Sequence, residues 1–313
     1  MSGAHAHHGH AHGPARGTLT RRAALASVTV ATLLIGLKVW GAWATGSMAM
    51  LGSLADSALD LAASLMTLFA VGLAAQPADE DHRFGHGKAE AIAALMQTLL
   101  IVASAVAIGW RSILQLGIDE LPTRGDIGIG VSLAGIALTL ALVAYQRTVV
   151  KRTGSVAIAT DHLHYQSDLL LNLAVIVALV LDIYAGLHGA DSAFGIAIAV
   201  YLAVGALRSA RAAVDMLMDR EWPDEKRQRL LAVVAAETRV SGVHQLRTRS
   251  SGVTDFIQFH VWLPPEMSVA AAHAIVDDIE ARVAAAFPGA EILIHVDPAG
   301  HYDAGHAPEP SCA

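Results

Sequence analysis

Asp56 and Asp60 lie in the apolar run GSMAMLGSLADSALDLAASLMTLFAVGL, and His164 and Asp168 in the run that begins DHLHYQSDLLLNLAVIVALVL. The two residues of each pair are four apart, so each pair shares one face of a helix. Burying an isolated carboxylate at mid-membrane costs ~2.5–3.5 kcal/mol on insertion scales. Three carboxylates and an imidazole are tolerable there only if they face one another around a cation. One nitrogen and three oxygen donors suit four-coordinate Zn²⁺ or a similar divalent ion. The chain therefore reads as a membrane protein that holds, and moves, a divalent metal.

A second group sits in QPADEDHRFGHGKAEA. Asp79 and His82 are three apart, and His82 and His86 four apart, so a tight or helical loop brings them together. Such a trio leaves one tetrahedral position open, and Gly85 and Gly87 supply freedom for the turn. The competing reading is a solvated acidic loop whose histidines cap the next helix.

A third group lies near the end of the chain: His244, His260, His273 and His295, with Asp297. His295 and Asp297 alternate on a strand and so point to one face. His244 near the start of one strand and His260 near the end of the next become neighbours in a hairpin. The functional reading is a structural or regulatory metal site; the competing one is scattered surface histidines. His5, His7, His8, His10 and His12 form a His-rich tract that suits weak metal collection or a tail with no role.

Six long helices must position the first group. The chain of 313 residues is 54% hydrophobic and only 16% charged, whereas soluble domains are about 25% charged. Apolar runs mark spans near 23–45, 48–73, 88–115, 125–148, 156–186 and 191–213. Arg16, Arg21, Arg22, Arg83, Lys88, Arg147, Lys151, Arg152, Arg208, Arg211 and Arg220 fall in or beside one set of connections, and the alternate connections hold only Arg124. That bias places both termini in the cytoplasm. Lys38, late in the first span, is expected to snorkel outward. From Trp222 the composition turns polar, and helix, strand, strand, helix and strand follow, with Pro223 as a first helical residue and Ser268 as an N-cap. This is a small two-layer α+β domain.

Other classes recede. The net charge of −7 gives no footprint for nucleic acid. The single Cys312 rules out an intrachain disulfide and a multi-cysteine zinc site. No HExxH motif supports a membrane metalloprotease, and a channel needs polar residues that the other spans lack.

The pieces SLADSALD, RFGHGKAEA, DHLHYQSDLLLN and GVHQLRTR with HVDP resemble the cation diffusion facilitator family, in particular its bacterial zinc/iron efflux-type members. The resemblance covers about residues 20–298, and no ligand position departs from it. It implies a homodimeric proton antiporter for divalent metal, in the inner (plasma) membrane, with no organic cofactor. It implies transport ligands Asp56, Asp60, His164 and Asp168, a loop site of Asp79, His82 and His86, and a two-metal site in a metallochaperone-like tail from His244, His260, His273, His295 and Asp297. Lys88 and Asp219 match an ionic interlock near the dimer contact. Zn²⁺ is the first choice of cargo, with Cd²⁺ or Fe²⁺ next; His164 argues against Mn²⁺. The alternatives are a metal sensor without transport and an Mn²⁺/Fe²⁺-selective exporter. The expected domains are a His-rich tail over 1–20, a membrane domain over 21–213, a metal-binding domain over 214–300 and a tail over 301–313.

Overall fold

The computed structural model describes residues 13–45, 48–114, 126–185, 190–252 and 254–300; the His-rich tract and the last thirteen residues lie outside them. The described chain forms two compact units, one of Arg16–Asp215 and one that takes in the chain from Met216.

The first unit is built from six long helices: α1 (Gly13–Thr45), α2 (Met48–Ala74), α3 (Ala89–Leu114), α4 (Asp126–Thr153), α5 (Val156–Ala185) and α6 (Ala190–Leu217). Among the described residues, five of them carry segments long and apolar enough to cross a membrane: Arg16–Gly41, Ser57–Ala74, Ala89–Leu114, Leu133–Thr153 and Ser192–Leu217. In α5 the polar residues Asp161, His162, His164 and Asp168 fill the first half, and the apolar run LLLNLAVIVALVL follows them. Large apolar side chains point outward, among them Phe69, Leu99, Val106, Trp110 and Leu207. That pattern suits lipid and not water.

The links are short where the site requires it. Gly154, at φ +67°, ends α4, and its N–H donates to the carbonyl of Val150 at 2.8 Å. A glycine takes this left-handed position without a Cβ penalty. Ser155 then caps α5, its Oγ accepting from the N–H of Ile158 at 3.3 Å. Glu90, buried in the first turn of α3, accepts from Ser155 Oγ at 2.5 Å. The start of α5 is thus tied to the start of α3. Further along, a Cβ at Gly205 would lie 2.8 Å from a methyl of Leu163, so α5 and α6 pack closely there and a larger residue requires the Leu163 side chain to move.

The second unit contains α7 (Asp224–Ala235), β1 (Val243–Ser250), β2 (Asp255–Leu263), α8 (Val269–Ala286) and β3 (Glu291–Pro298). The sheet order is β1-β2-β3, with β1/β2 antiparallel and β2/β3 parallel. Ile257, Phe259, Val261 and Leu263 alternate along β2 onto a core shared with Leu230 and Val234 of α7 and Ile275, Ile279 and Val283 of α8. Ser268 caps α8, accepting from the N–H of Ala271. Pro223 precedes α7 instead of opening it, because its ψ of 147° is extended. Asp219 takes a positive φ of 54° after α6 and pairs with Arg249 of β1 at 3.2 Å.

Candidate metal centres

The face of α2 that turns inward is polar at intervals of three, four and three residues: Ser57, Asp60, Ser64 and Thr67. Each position meets a different partner. Lys38 of α1 donates its Nζ–H to Ser57 Oγ at 2.5 Å. His164 of α5 places Nε2 at 3.0 Å from Asp60 Oδ1. Ser64 Oγ and Tyr165 Oη lie 2.7 Å apart. Thr67 donates to Gln97 Oε1 of α3 at 3.3 Å.

The stripe carries the first candidate centre. Ligand atoms of Asp60, His164 and Asp168 all lie within 4.8 Å of one another. Asp168 Oδ2 is 3.9 Å from His164 Nε2. His164 is buried, and both carboxylates are partly covered. Asp56 falls in α2 one turn before Asp60, with its side chain outside the described part. Asn172 donates to the backbone carbonyl of Asp168 at 2.7 Å and so fixes that turn of α5.

Sequence reasoning missed Asp161. It lies one turn before His164 on the same stripe of α5 and is fully buried. Ser27 of α1 donates to its Oδ2 at 2.6 Å, Gln146 of α4 to the same oxygen at 2.7 Å, and Gln97 of α3 to Oδ1 at 2.9 Å. Three uncharged donors from three helices solvate this carboxylate. They occupy it with protons where a metal would need lone pairs, so Asp161 binds α5 into the bundle. The spacing 161, 164, 168 was a readable signal. Its partners, Ser27, Gln97 and Gln146, were not, since nothing in a single helix says which neighbour it will meet. The expected outward course of Lys38 is also corrected: its ammonium turns in to a hydroxyl on α2.

The loop centre gathers Asp79, His82 and His86, again with ligand atoms within 4.8 Å. Asp79 Oδ1 accepts from the backbone N–H of His82 at 2.6 Å and of Asp81 at 3.0 Å. His86 Nε2 is 3.2 Å from the other oxygen. Gly85, at φ +76°, closes the turn with its N–H on the carbonyl of His82. The backbone N–H of His82, with both histidines, holds the Asp79 carboxyl below its ordinary range despite some desolvation. His86 Nδ1 is buried without a partner among the described residues.

The tail centre is a row across the sheet. His244 is paired with His260, and His260 with His295, so three imidazoles stand in register on the face away from the core. A bulge between His244 and Arg247 makes this possible. Residues three apart on a regular strand face opposite ways; the extra residue, with Gln245 at φ 50°, returns both to one face. His244 Nε2 and His260 Nδ1 converge on Asp297 Oδ2 at 3.0 and 2.8 Å. His295 reaches the other oxygen at 3.2 Å. Burial pushes the Asp297 carboxyl up, but the imidazoles of His260, His295 and His244 hold it below its ordinary value. Trp262 stacks on His244, with ring centroids 4.1 Å apart. His273 stands apart on exposed α8, 3.8 Å from Asp277. Two imidazoles aimed at one carboxylate oxygen are a donor set that fits Zn²⁺. His244, His260 and Asp297 would hold it there.

Residues 24–218 match the cation efflux transmembrane domain, and residues 222–299 the cytoplasmic domain of cation efflux proteins. The cation-efflux pump FieF of Cronobacter sakazakii is 45% identical over 282 residues, covering 90% of this chain and 94% of that one. FieF of Yersinia pestis is 45% identical over 278 residues, covering 89% and 92%. A solved chain of CzrB in its zinc form is 34% identical; it covers 27% of this chain and 98% of its own, at a TM-score of 0.26.

Proposed function

The chain belongs to the cation efflux family, and we propose that it moves divalent metal, Zn²⁺ before Cd²⁺ or Fe²⁺, out of the cytoplasm in exchange for protons. The observation that carries this reading is the convergence of Asp60, His164 and Asp168 between membrane helices. Asp56, one turn away on α2, completes a set of one nitrogen and three oxygens. Metal requires these groups deprotonated, so cation and protons compete for the same atoms. Clustered carboxylates repel one another, and either a proton or a metal relieves that repulsion. Exposing the site alternately to the two sides then couples the two fluxes, with no enzymatic step and no organic cofactor.

The acidic loop Asp79, Glu80 and Asp81 favours cations near the entrance, with Asp79, His82 and His86 as a first holding site. The tail centre is read as resident metal that regulates or braces a homodimer. Both termini face the cytoplasm on the evidence of the Arg and Lys distribution.

Purified protein in liposomes with an imposed pH gradient tests this. Zn²⁺ flux should follow the proton gradient and saturate, and Asp60→Ala or Asp168→Ala should abolish it in a folded protein. Near-normal flux in either variant would remove the ligand assignment. Zn²⁺ binding with no flux in the wild type would make the chain a metal sensor.

A further inference from the structure

The position of Lys38 carries one more step. Its neighbours Val39, Trp40 and Trp43 are exposed on the apolar outside of α1. Lys38 instead is partly covered, and its ammonium reaches Ser57 Oγ at 2.5 Å. Ser57 is 1% exposed. It lies one residue from Asp56 and one turn from Asp60 on α2. A lysine near the end of a span ordinarily reaches for water along the lipid. An ammonium drawn into the bundle must be offset by negative charge, and the nearest carboxylates along α2 are Asp56 and Asp60.

We propose that Lys38 is a charge-balancing residue of the transport site. The inference rests on the metal-export reading and specifies how that site is matched to a divalent ion. Asp56, Asp60 and Asp168 bring three negative charges, and His164 must be neutral to bind. Lys38 reduces the excess to two, which one divalent cation cancels. The count is of the ligand set alone: Asp161 is held by three uncharged donors and binds no metal, so its contribution is the same in the empty and the loaded site. Without Lys38 the loaded site would keep one negative charge in a low-dielectric bundle, where an unbalanced charge interacts strongly. Metal would be held more tightly and released more slowly.

The test compares wild type with Lys38→Arg, Lys38→Gln and Lys38→Met in proteoliposomes, with Zn²⁺ as the probe. Gln retains a donor for Ser57 without the charge, and Met suits an apolar span should Gln disturb folding. For both neutral variants the expected result is a KM lowered about tenfold together with a maximal rate lowered by a similar factor. Lys38→Arg should track the wild type. A merely structural lysine would not tighten binding when removed. Unchanged KM in both neutral variants, or a raised KM, overturns the proposal. Failure of the export reading shows separately: wild-type flux would then be absent or indifferent to Asp60→Ala, and the charge count would lose its basis.

Discussion

Asp161 offers the sharpest perturbation, because everything it touches is in view. Replacing it by Ala removes an acceptor from the amide of Gln97, from the hydroxyl of Ser27, which keeps the Ala23 carbonyl, and from the amide of Gln146, which keeps the Ser27 hydroxyl. Side-chain hydrogen bonds between membrane helices average about 0.6 kcal/mol and reach about 1.7. Three lost together amount to about 2–5 kcal/mol, a large part of a typical folding margin. Asp161 is fully buried, so water does not replace it for Gln97, while the second acceptors of Ser27 and Gln146 keep the loss below the upper end. Asp161→Asn keeps the shape and one acceptor oxygen, so it should recover about half of the loss if one amide turns over. The measurement is thermal unfolding of purified protein in detergent, beside Zn²⁺ flux. Flux should fall with stability, since α5 also carries His164 and Asp168. Asp161→Ala that melts with the wild type would refute the argument. So would Asp161→Asn that is worse than Ala.

Two more outcomes concern the tail. His260→Ala with Asp297→Ala should remove one class of Zn²⁺ site from the full chain by calorimetry while efflux is reduced and not lost; unchanged stoichiometry would show that this centre takes no metal. Glu237 is held at about 2 by the side chain and backbone N–H of Arg239, with Arg282 also pairing to it. Its folded pKa is depressed, so its contribution is present above the ordinary glutamate range and is lost as pH falls from about 4.5 towards about 2. Glu237→Gln should lower tail stability at neutral pH and flatten that acid limb in a fluorescence titration, and a limb identical to the wild type would assign it to other carboxylates.

Much of this architecture was legible because membranes restrict the choices. Backbone groups in lipid must be satisfied within a segment, so long apolar runs become helices. The tail was legible for a different reason: FIQFHVWL alternates with period two, and Ser268 opens a helix by its own chemistry. Spacing also brought Asp60, His164 and Asp168 into one frame, since i, i+4 on two helices needs only that those helices face each other. The hairpin also placed His244 beside His260, but spacing did not show how it shares a face with the rest of its strand. Counting along a regular strand turns it away from the side chain of Arg247, and only the bulge at Gln245 brings it to the row with His260 and His295.

The misreading of Lys38 has the same root at the level of helices. Periodicity gives the angle between two residues of one helix but not the rotation of that helix about its axis. For a purely apolar face this matters little, because lipid and protein accept Leu and Val alike. For a single cation it decides between solvent and site. The physical information that settles it is the polar stripe on α2: Ser57, Asp60, Ser64 and Thr67 need inward partners, and α1 and α3 supply one each and α5 two. A buried hydroxyl or carboxylate in lipid must find a partner within the protein. Pairing the polar positions of one span with those of the others, instead of reading each span alone, is therefore the step from which both the Asp161 node and the inward turn of Lys38 follow.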